Sequence, residues 1–321
     1  MIITAPGKII LFGEHAVVYD KLGIVTAVNL RAKITAEEAG ETTLTYADGT
    51  FKINREDMAQ VKQKVDRLIE EKKYSELKRL ATDSLFSLKN VLSHSINEKD
   101  YCIKIESEIP MASGLGSGSA VFACLAAIYK NNLEEIRQVS YLGDVVAHGG
   151  TPSGIDNSAV VYGRYLLFRK SEGIKRLDIG LEPSIVIGHT GIRGSTAVTV
   201  SHVRENIERF MPHIDEIEKV AQRGLIALQD NDLGLVGKLM NENQTLLEKI
   251  EVSHPKLEEL IEIARKNGAL GAKLSGGGGG GVMIALCKDK DSEAKVKKAI
   301  EDNGCKAYIA NLGAEGLRVV R

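Results

Sequence analysis

The chain has 321 residues, enough for about two domains, with 43% hydrophobic and 26% charged residues. These fractions are typical of soluble globular proteins and exclude a disordered chain, a collagen and a coiled-coil rod. The net charge is −1, so the chain as a whole has no positive field for nucleic acid or an anionic membrane. We therefore expect neither of these as a partner.

The cysteines and the N-terminal residues bear on the cellular compartment. The cysteines form no CxxC pair and lack zinc-ligand spacing, so we expect reduced thiols. Lys8, Glu14 and His15 interrupt the apolar N-terminal stretch, which has no basic start and is unlike a signal peptide. No run of about 18 apolar residues predicts a transmembrane helix. Together these features predict a cytoplasmic protein. The cysteines are Cys102, Cys124, Cys287 and Cys305.

The first half of the chain is predicted to be rich in strands. Short β-prone runs separated by glycines come first, and charged periodic segments suitable for amphipathic helices follow. A glycine- and serine-rich loop then separates an alternating strand from an apolar helix. In chain order we predict β-prone runs within 1–50 that include 16–19, a hairpin over 42–53, two helices over 55–98, a strand over 101–109 and a helix over 120–129.

The second half is predicted to be rich in helices, so the fold class is α+β. A polar stretch over residues 170–178 suggests a boundary near 170–183. The predicted elements are a helix over 134–148, β-like runs over 159–162 and 164–168, a strand over 184–190, three helices over 200–266, a helix over 291–303 and a strand over 306–310.

The loop over residues 110–120 has the composition of a phosphate-binding site. Its glycines let several backbone N–H groups converge, and the start of the next helix adds a partial positive charge. Serine hydroxyls there can donate to phosphate oxygens or bind Mg²⁺. The alternative is a flexible turn in which Ser117 or Ser119 caps the helix. No GxxxxGK[ST] motif occurs, so we do not expect a protein of the P-loop class.

A second glycine run follows Lys273, Leu274 and Ser275. Six glycines at residues 276–281 lead into the β-prone VMIAL, whereas a dinucleotide-binding loop would lead into a helix. A run of glycines is costly in conformational entropy, which favours a loop lying against a ligand over a simple linker.

Single polar residues in small or apolar surroundings are candidates for chemistry. Lys8 lies in an apolar strand, where it needs a partner if buried, although an edge strand would also accommodate it. His15 by itself is more typical of a structural histidine. Asp156 can accept a hydroxyl proton, hold Lys8, or simply bond its own turn. Asp144 and His148 share a helix face, a weak zinc signal, but one carboxylate plus phosphate oxygens suits Mg²⁺.

Three segments, PGKIILFGEHAVVY, IPMASGLGSGSA and KLSGGGGGG, together resemble the three motifs of the GHMP small-molecule kinase superfamily. A fourth, HGGTPSGIDN, is similar to the HGNPSGVDN of its mevalonate kinase members. The resemblance implies a two-domain GHMP kinase fold. Residues 1–175 would form a β-rich, ATP-binding N-terminal domain with helices, and residues 176–321 a helix-rich α+β C-terminal domain. The active site would lie in the cleft between them.

The resemblance also implies roles for residues. Asp156 would be the catalytic aspartate, as base or electrostatic partner of the hydroxyl, and Lys8 would pair with it and stabilise the transferring phosphoryl group. Asp144 and Ser117 would bind Mg²⁺, and Ser107 would lie near the nucleotide. The acceptor would contact Glu14, His15, Thr196, Ser275 and Gly276. The ATP phosphates would contact Ala112, Ser113, Gly114, Leu115, Gly116, Ser117, Gly118 and Ser119.

The chain departs from the family pattern at several positions. Gly118 stands where the family has a second serine, so Ser117 or Ser119 would replace it, or metal binding is altered. HGGTPSG is one residue longer than HGNPSG, so the role of Asp144 assumes an insertion there. Ser275 and Gly277 replace the usual threonine and alanine.

The resemblance implies ATP- and Mg²⁺-dependent phosphorylation of mevalonate to 5-phosphomevalonate, in isoprenoid biosynthesis, by a homodimer. One alternative is the same chemistry on another small alcohol or on phosphomevalonate, whose extra phosphate Arg193 could bind. Another is a non-catalytic nucleotide or metabolite sensor. The presence of both Lys8 and Asp156 favours the enzyme, whereas the departure at Gly118 leaves the sensor open.

Overall fold

Two β-sheets organise the chain in the computed structural model, which describes residues 1–47, 49–95, 99–111, 113–150 and 152–320. The strands are β1 (Ile2–Phe12), β2 (Gly23–Ala39), β3 (Thr43–Tyr46), β4 (Gly49–Lys52), β5 (Asp100–Ser107), β6 (Tyr165–Arg169), β7 (Gly173–Leu177), β8 (Ser184–His189), β9 (Ala269–Ser275), β10 (Val282–Cys287), β11 (Lys306–Asn311) and β12 (Arg318–Val320).

Helices fill the segments between these strands. They are α1 (Arg55–Glu70), α2 (Tyr74–Leu80), α3 (Ser84–Ser95), α4 (Ser117–Tyr129), α5 (Leu133–His148), α6 (Ile155–Tyr162), α7 (Thr196–Glu205), α8 (Ile207–Gln229), α9 (Leu233–Lys249), α10 (Pro255–Lys266) and α11 (Lys290–Asp302). In the described part of the chain, no helix combines the length and apolar character needed to cross a bilayer.

The first sheet has the order β12-β1-β2-β5-β3-β4, and β6 pairs with both β2 and β7. The second sheet, β11-β8-β10-β9, has only antiparallel pairs. The chain passes from the first sheet to the second between β7 and β8, and β12 returns to pair with β1. The predicted division between residues 175 and 176 falls within β7 and stays a proposal.

Helix α4 lies at the centre of the first half and places the glycine-rich loop beside β1. Residues 119–128 of this helix are all buried, which is typical of a helix that is covered on every side. It packs against β1, β2, α3 and α5. Helices α9 and α10 cover the second sheet at β9. The start of α4 is therefore held firmly next to β1, while its body belongs to the core.

Several predicted elements are confirmed, and others were wrong. The hairpin forms from β3 and β4, although its turn residue Asp48 lies outside the described residues. Residues 16–19 form a 3₁₀ turn and residues 159–162 belong to α6, where strands were predicted. Residues 55–95 contain three helices instead of two, and residues 196–266 contain four instead of three. Short runs that contain valine and tyrosine can form either a helix or a strand, so tertiary packing decides which of the two forms.

Candidate active site

Lys8 and Asp156 meet at the centre of the candidate site. The Lys8 Nζ lies 2.9 Å from the Asp156 Oδ1. Lys8 is 4% exposed, whereas the Asp156 side chain is 31% exposed. A buried ammonium thus contacts a carboxylate that solvent can reach. The structure thus brings together two residues that are far apart in the sequence and were predicted to act as a pair.

The glycine-rich loop wraps around Lys8. The Lys8 N–H donates to the Leu115 carbonyl at 2.8 Å, beside a shift in the β1–β2 register between Pro6 and Gly7. Gly116 has a φ of 76°, and a Cβ on it would lie 2.9 Å from the Lys8 Cγ. A side chain at position 116 would therefore displace Lys8 as well as strain the backbone.

Asp156 lies in the first turn of α6, where the helix dipole favours a negative charge. Gly154 starts this helix with a left-handed φ of 77°. The Asn157 Nδ2 donates to the Arg137 carbonyl at 2.8 Å, and the Tyr141 hydroxyl donates to the Pro152 carbonyl at 3.0 Å. These two bonds fasten the start of α6 to α5 and so fix the position of Asp156.

The start of α4 offers backbone donors to an anion. Its cap residue Gly116 provides no side-chain hydrogen bond, whereas Asn132 caps the next helix, α5, with its side chain. The N–H groups of the first turn of α4 are thus left for a ligand. Sequence reasoning did not foresee this difference in capping between the two helices.

Two serines shape the loop that precedes α4. The Ser113 hydroxyl donates to the Pro110 carbonyl at 2.7 Å, and the Ser107 hydroxyl accepts from the Ile109 N–H at 3.1 Å. Ala112, predicted to contact phosphate, lies outside the described residues. Both serines therefore stabilise the loop through their own backbone neighbours.

Asp144 is a buried carboxylate close to this loop. The Ser119 hydroxyl donates to its Oδ1 at 2.7 Å, and both residues are buried. Burial and the neighbouring Asp156 carboxylate raise the pKa of Asp144 to about 8. Among the described residues Asp144 forms no ion pair. A buried carboxylate beside an anion-binding helix start is a suitable ligand for a divalent cation.

The structure clarifies the departure at Gly118. Ser119, one of the two serines considered as a replacement, is the one that contacts Asp144. A Cβ at Gly118 would meet only the Phe122 ring, at 3.6 Å, which is an ordinary contact. The fold therefore leaves room for a Cβ at position 118. Ser117 occupies the first position of α4 and is partly exposed.

His15 is buried, and its backbone has a positive φ of 61°. Its Nε2 lies 3.0 Å from the Gly277 carbonyl, which can only accept, so Nε2 carries the proton. The other ring nitrogen, Nδ1, is buried and has no partner in the described part of the chain. It is therefore a free acceptor. Burial lowers the pKa of His15 to about 4, against the opposing bond to Gly277.

This histidine predicts a pH-dependent stability. The unfolded chain protonates His15 near pH 6.5, while the folded protein keeps it neutral down to about pH 4. The unfolded state therefore binds more protons in this window, and folding stability is lost as pH falls. Between pH 7.5 and pH 5 the wild type should lose about 2 kcal/mol more than His15→Asn, as measured by urea unfolding. Asparagine is one of the non-glycine residues most often found at positive φ. Equal losses in both proteins would refute the assignment.

Glu14, predicted to line the acceptor site, is fully buried. One of its carboxylate oxygens accepts from the Lys273 ammonium, and the other accepts from the Asn243 Nδ2 at 3.1 Å. Burial lowers the pKa of Lys273, although the Glu14 carboxylate opposes this effect. Sequence reasoning missed Lys273, yet the argument that led to Lys8, a lysine in an apolar strand, applies to it equally.

Other predicted acceptor residues lie around the second glycine run. The Ser275 hydroxyl accepts from the Ile10 N–H at 3.1 Å and donates to the Ile10 carbonyl at 3.0 Å. Gly276 has a φ of 95°. Thr196 starts α7, and a Cβ on Gly277 would lie 2.4 Å from its Oγ1. The glycine loop thus connects β1 with the start of α7.

Comparisons with known proteins agree with this geometry. The family described as GHMP kinases N terminal domain matches residues 81–164, and GHMP kinases C terminal matches residues 225–306. Mevalonate kinase of Pyrococcus abyssi (strain GE5 / Orsay) is 34% identical, with 98% of this chain and 96% of that protein covered.

Solved structures give the same result. The Methanococcus jannaschii mevalonate kinase has a TM-score of 0.80 at 27% identity, with 97% of this chain and 98% of that chain covered. The L. major mevalonate kinase in complex with R-mevalonate has a TM-score of 0.79 at 26% identity, with 98% and 96% covered. With the relatives matched over nearly their full length, the chain belongs to the GHMP kinases and, among them, to the mevalonate kinase family.

Proposed function

We propose that this protein transfers the terminal phosphoryl group of ATP to the primary hydroxyl of mevalonate and so forms 5-phosphomevalonate. The observation that carries the proposal is the Lys8–Asp156 pair, 2.9 Å apart and next to the start of α4. Family membership supports ATP as the donor and mevalonate as the acceptor. Phosphoryl transfer depends mainly on alignment and on neutralisation of charge, and this site offers both.

The nucleotide side of the site consists of backbone donors and one ammonium group. The free N–H groups at the start of α4 bind phosphate oxygens, helped by the helix dipole. Lys8 lies against the same loop and places its positive charge where negative charge develops on the transferring group. The predicted phosphate contacts of residues 112–119 belong to this proposal.

On the acceptor side, Asp156 orients the substrate hydroxyl and accepts its proton, or stabilises it electrostatically, as the oxygen attacks phosphorus. His15 accepts a hydrogen bond from a substrate hydroxyl through the free Nδ1. Thr196, Ser275 and Gly276 are proposed to complete this pocket. These three residues lie next to Gly277, whose carbonyl accepts the hydrogen bond from His15.

Mg²⁺ is part of the proposal because the residues suit it. Asp144 would hold the ion, oriented by Ser119, and Ser117 at the start of α4 is a further predicted ligand. When bound, the ion would neutralise phosphate charge. Groups of three or more carboxylate, histidine or cysteine ligands do not occur in the described part of the chain, so phosphate oxygens and water would have to supply the remaining ligands.

The proposal is tested by ATP consumption with mevalonate, phosphomevalonate, galactose and homoserine side by side, with the product identified by mass spectrometry. We expect turnover with mevalonate and a product one phosphate heavier. Turnover with phosphomevalonate alone would favour the alternative acceptor. Nucleotide binding without turnover on any of the four alcohols would favour a sensor.

The role of Ser119 gives a separate prediction. Ser119→Ala removes the hydrogen bond that orients Asp144, so the Mg²⁺ concentration for half-maximal rate should rise roughly tenfold. Ser117→Ala removes the other predicted hydroxyl, two residues away, and should raise the Mg²⁺ requirement less, because Ser117 is partly exposed and water can take its place at the ion. The measurement is a Mg²⁺ titration at saturating ATP and mevalonate. The reverse order of the two effects would assign the metal contact to Ser117.

Two further parts of the proposal concern the whole molecule. All four cysteines are free thiols, which supports a cytoplasmic location. We also propose a homodimer, which light scattering during gel filtration would detect as twice the chain mass of 34.8 kDa. A single species at 34.8 kDa would refute the dimer.

A further inference from the structure

Three contacts join the end of β1 to the segment that carries the second glycine run. The Lys273 ammonium pairs with Glu14. The Ser275 hydroxyl makes two hydrogen bonds to the backbone of Ile10, at 3.1 and 3.0 Å. The His15 Nε2 donates to the Gly277 carbonyl at 3.0 Å. Residues 10–15 and 273–277 are thus connected at three points, which fall at alternate positions, 273, 275 and 277, in the second segment.

The Glu14–Lys273 pair is the innermost of these contacts. Both side chains are 0% exposed. The Lys273 ammonium also donates to the Leu274 carbonyl at 2.6 Å, and Asn243 satisfies the second Glu14 oxygen. Removing two charges from water is expensive, and hydrophobic residues of similar size would often serve stability equally well. A buried pair in which both partners make further hydrogen bonds therefore points to a requirement for fixed geometry.

The neighbours of this pair belong to the acceptor side of the site. His15 follows Glu14 directly and has a positive φ, a strained backbone conformation that persists only where the surroundings enforce it. Ser275 and Gly277 lie just beyond Lys273, and Gly277 packs against Thr196. The residues proposed to bind the nucleotide, at the start of α4, are not among the three contacts.

We propose that Lys273 is a positioning residue, which through Glu14 holds His15 and the glycine loop in the arrangement that binds the acceptor alcohol. This inference rests on the proposed function. The pair acts on the acceptor side only, so its loss should change the kinetics of mevalonate and leave those of ATP nearly unchanged. Lys273 itself does not touch the reacting groups.

The test uses Glu14→Gln, Lys273→Met and the double variant. Each single change leaves one buried charge without a partner, so both proteins should unfold at lower urea concentration than wild type. The double variant has no unpaired charge and should regain most of that stability. Its kcat/KM for mevalonate should nevertheless stay about tenfold or more below wild type, while KM for ATP changes less than about twofold. The matched control is Arg223→Met with Glu242→Gln, an exposed ion pair between α8 and α9.

Several outcomes would overturn the proposal. Full recovery of both stability and mevalonate kinetics in the double variant would make the pair purely structural. Equal losses for ATP and mevalonate would remove the acceptor-side role. If the double variant does not fold, Asn243→Ala, which removes the hydrogen bond to the second Glu14 oxygen without leaving a charge unpaired, should show a smaller loss of the same selective kind, and an unchanged mevalonate KM and kcat would refute the proposal.

A second measurement separates this inference from the proposed function. Amide hydrogen exchange over residues 273–281 should be faster in the double variant than in wild type and unchanged in the Arg223/Glu242 control. Exchange requires no substrate. If the wild type does not phosphorylate mevalonate but exchange is still faster in the double variant, the proposed function is refuted. The role of the Glu14–Lys273 pair in holding the glycine loop is then still supported. Unchanged exchange in the double variant would refute the role of the Glu14–Lys273 pair in holding the glycine loop, whatever the activity toward mevalonate.

Discussion

Asp156→Asn is expected to lower kcat by at least about 10²-fold with little change in KM for ATP, because a positioned acid or base contributes about 10²–10⁴-fold. Asparagine keeps the size and the hydrogen-bonding shape of aspartate, but it can neither take up a proton nor balance the Lys8 charge. The start of α6 is held by Asn157 and Tyr141, so the backbone around the substitution should not move.

Steady-state kinetics at saturating Mg²⁺ would measure this loss. The control is Asp302→Asn, which removes an exposed carboxylate from a surface ion pair on α11 and should leave kcat unchanged. Near-normal turnover of Asp156→Asn would remove Asp156 from the mechanism. A large rise in KM for ATP with normal kcat would place Asp156 in nucleotide binding.

Lys8→Met should lower kcat by about 10²–10³-fold, the usual effect of removing one preorganised group that stabilises developing charge. Methionine matches the lysine stem in length and fills the same buried channel. Lys8→Arg should restore little of the lost rate, because the buried site holds a compact ammonium 2.9 Å from the Asp156 Oδ1, a position that the wider guanidinium cannot occupy in the same way.

The control for this prediction is Lys33→Met, which removes a half-exposed lysine from the neighbouring strand β2. It should leave kcat and the urea midpoint near those of wild type. A fully active Lys8→Arg variant would show that any positive charge at this position is sufficient. A Lys8→Met variant with normal kcat would limit the Lys8–Asp156 pair to a structural role.

Much of the site could be predicted because its residues violate ordinary sequence patterns. A lysine inside an apolar strand requires a partner, and an aspartate among small uncharged residues is a natural candidate, so the contact between Lys8 and Asp156 was predictable. The helix start after Gly116 was predictable from glycines between a strand and an apolar run. The contact between Ser119 and Asp144 was not, because it depends on how α4 packs against α5.

The failures of prediction have a common physical origin. The run Ala159 to Tyr162 is apolar and partly β-branched, which favours a strand locally, but glycines at 154 and 163 bound a helix there. Residues 16–19 are also apolar and partly β-branched, yet they form a 3₁₀ turn. The acceptor-side role of Glu14 stays a prediction, but its ion pair with Lys273 has no local signal, since Lys273 lies in β9, far away in the sequence. Long-range pairing of this kind is set by topology.

The close approach of Gly277 to Thr196 has a consequence for the evolution of the family. A methyl group at position 277 would lie 2.4 Å from the Thr196 Oγ1, so an alanine there requires α7 to begin farther from the loop. Mevalonate kinases with alanine at this position should therefore differ from this chain in the spacing of α7 as well. The residue at position 277 and the residues at the start of α7 are therefore expected to covary. Replacing Gly277 with alanine alone should reduce activity or stability more than replacing it together with the start of α7 from the same relative.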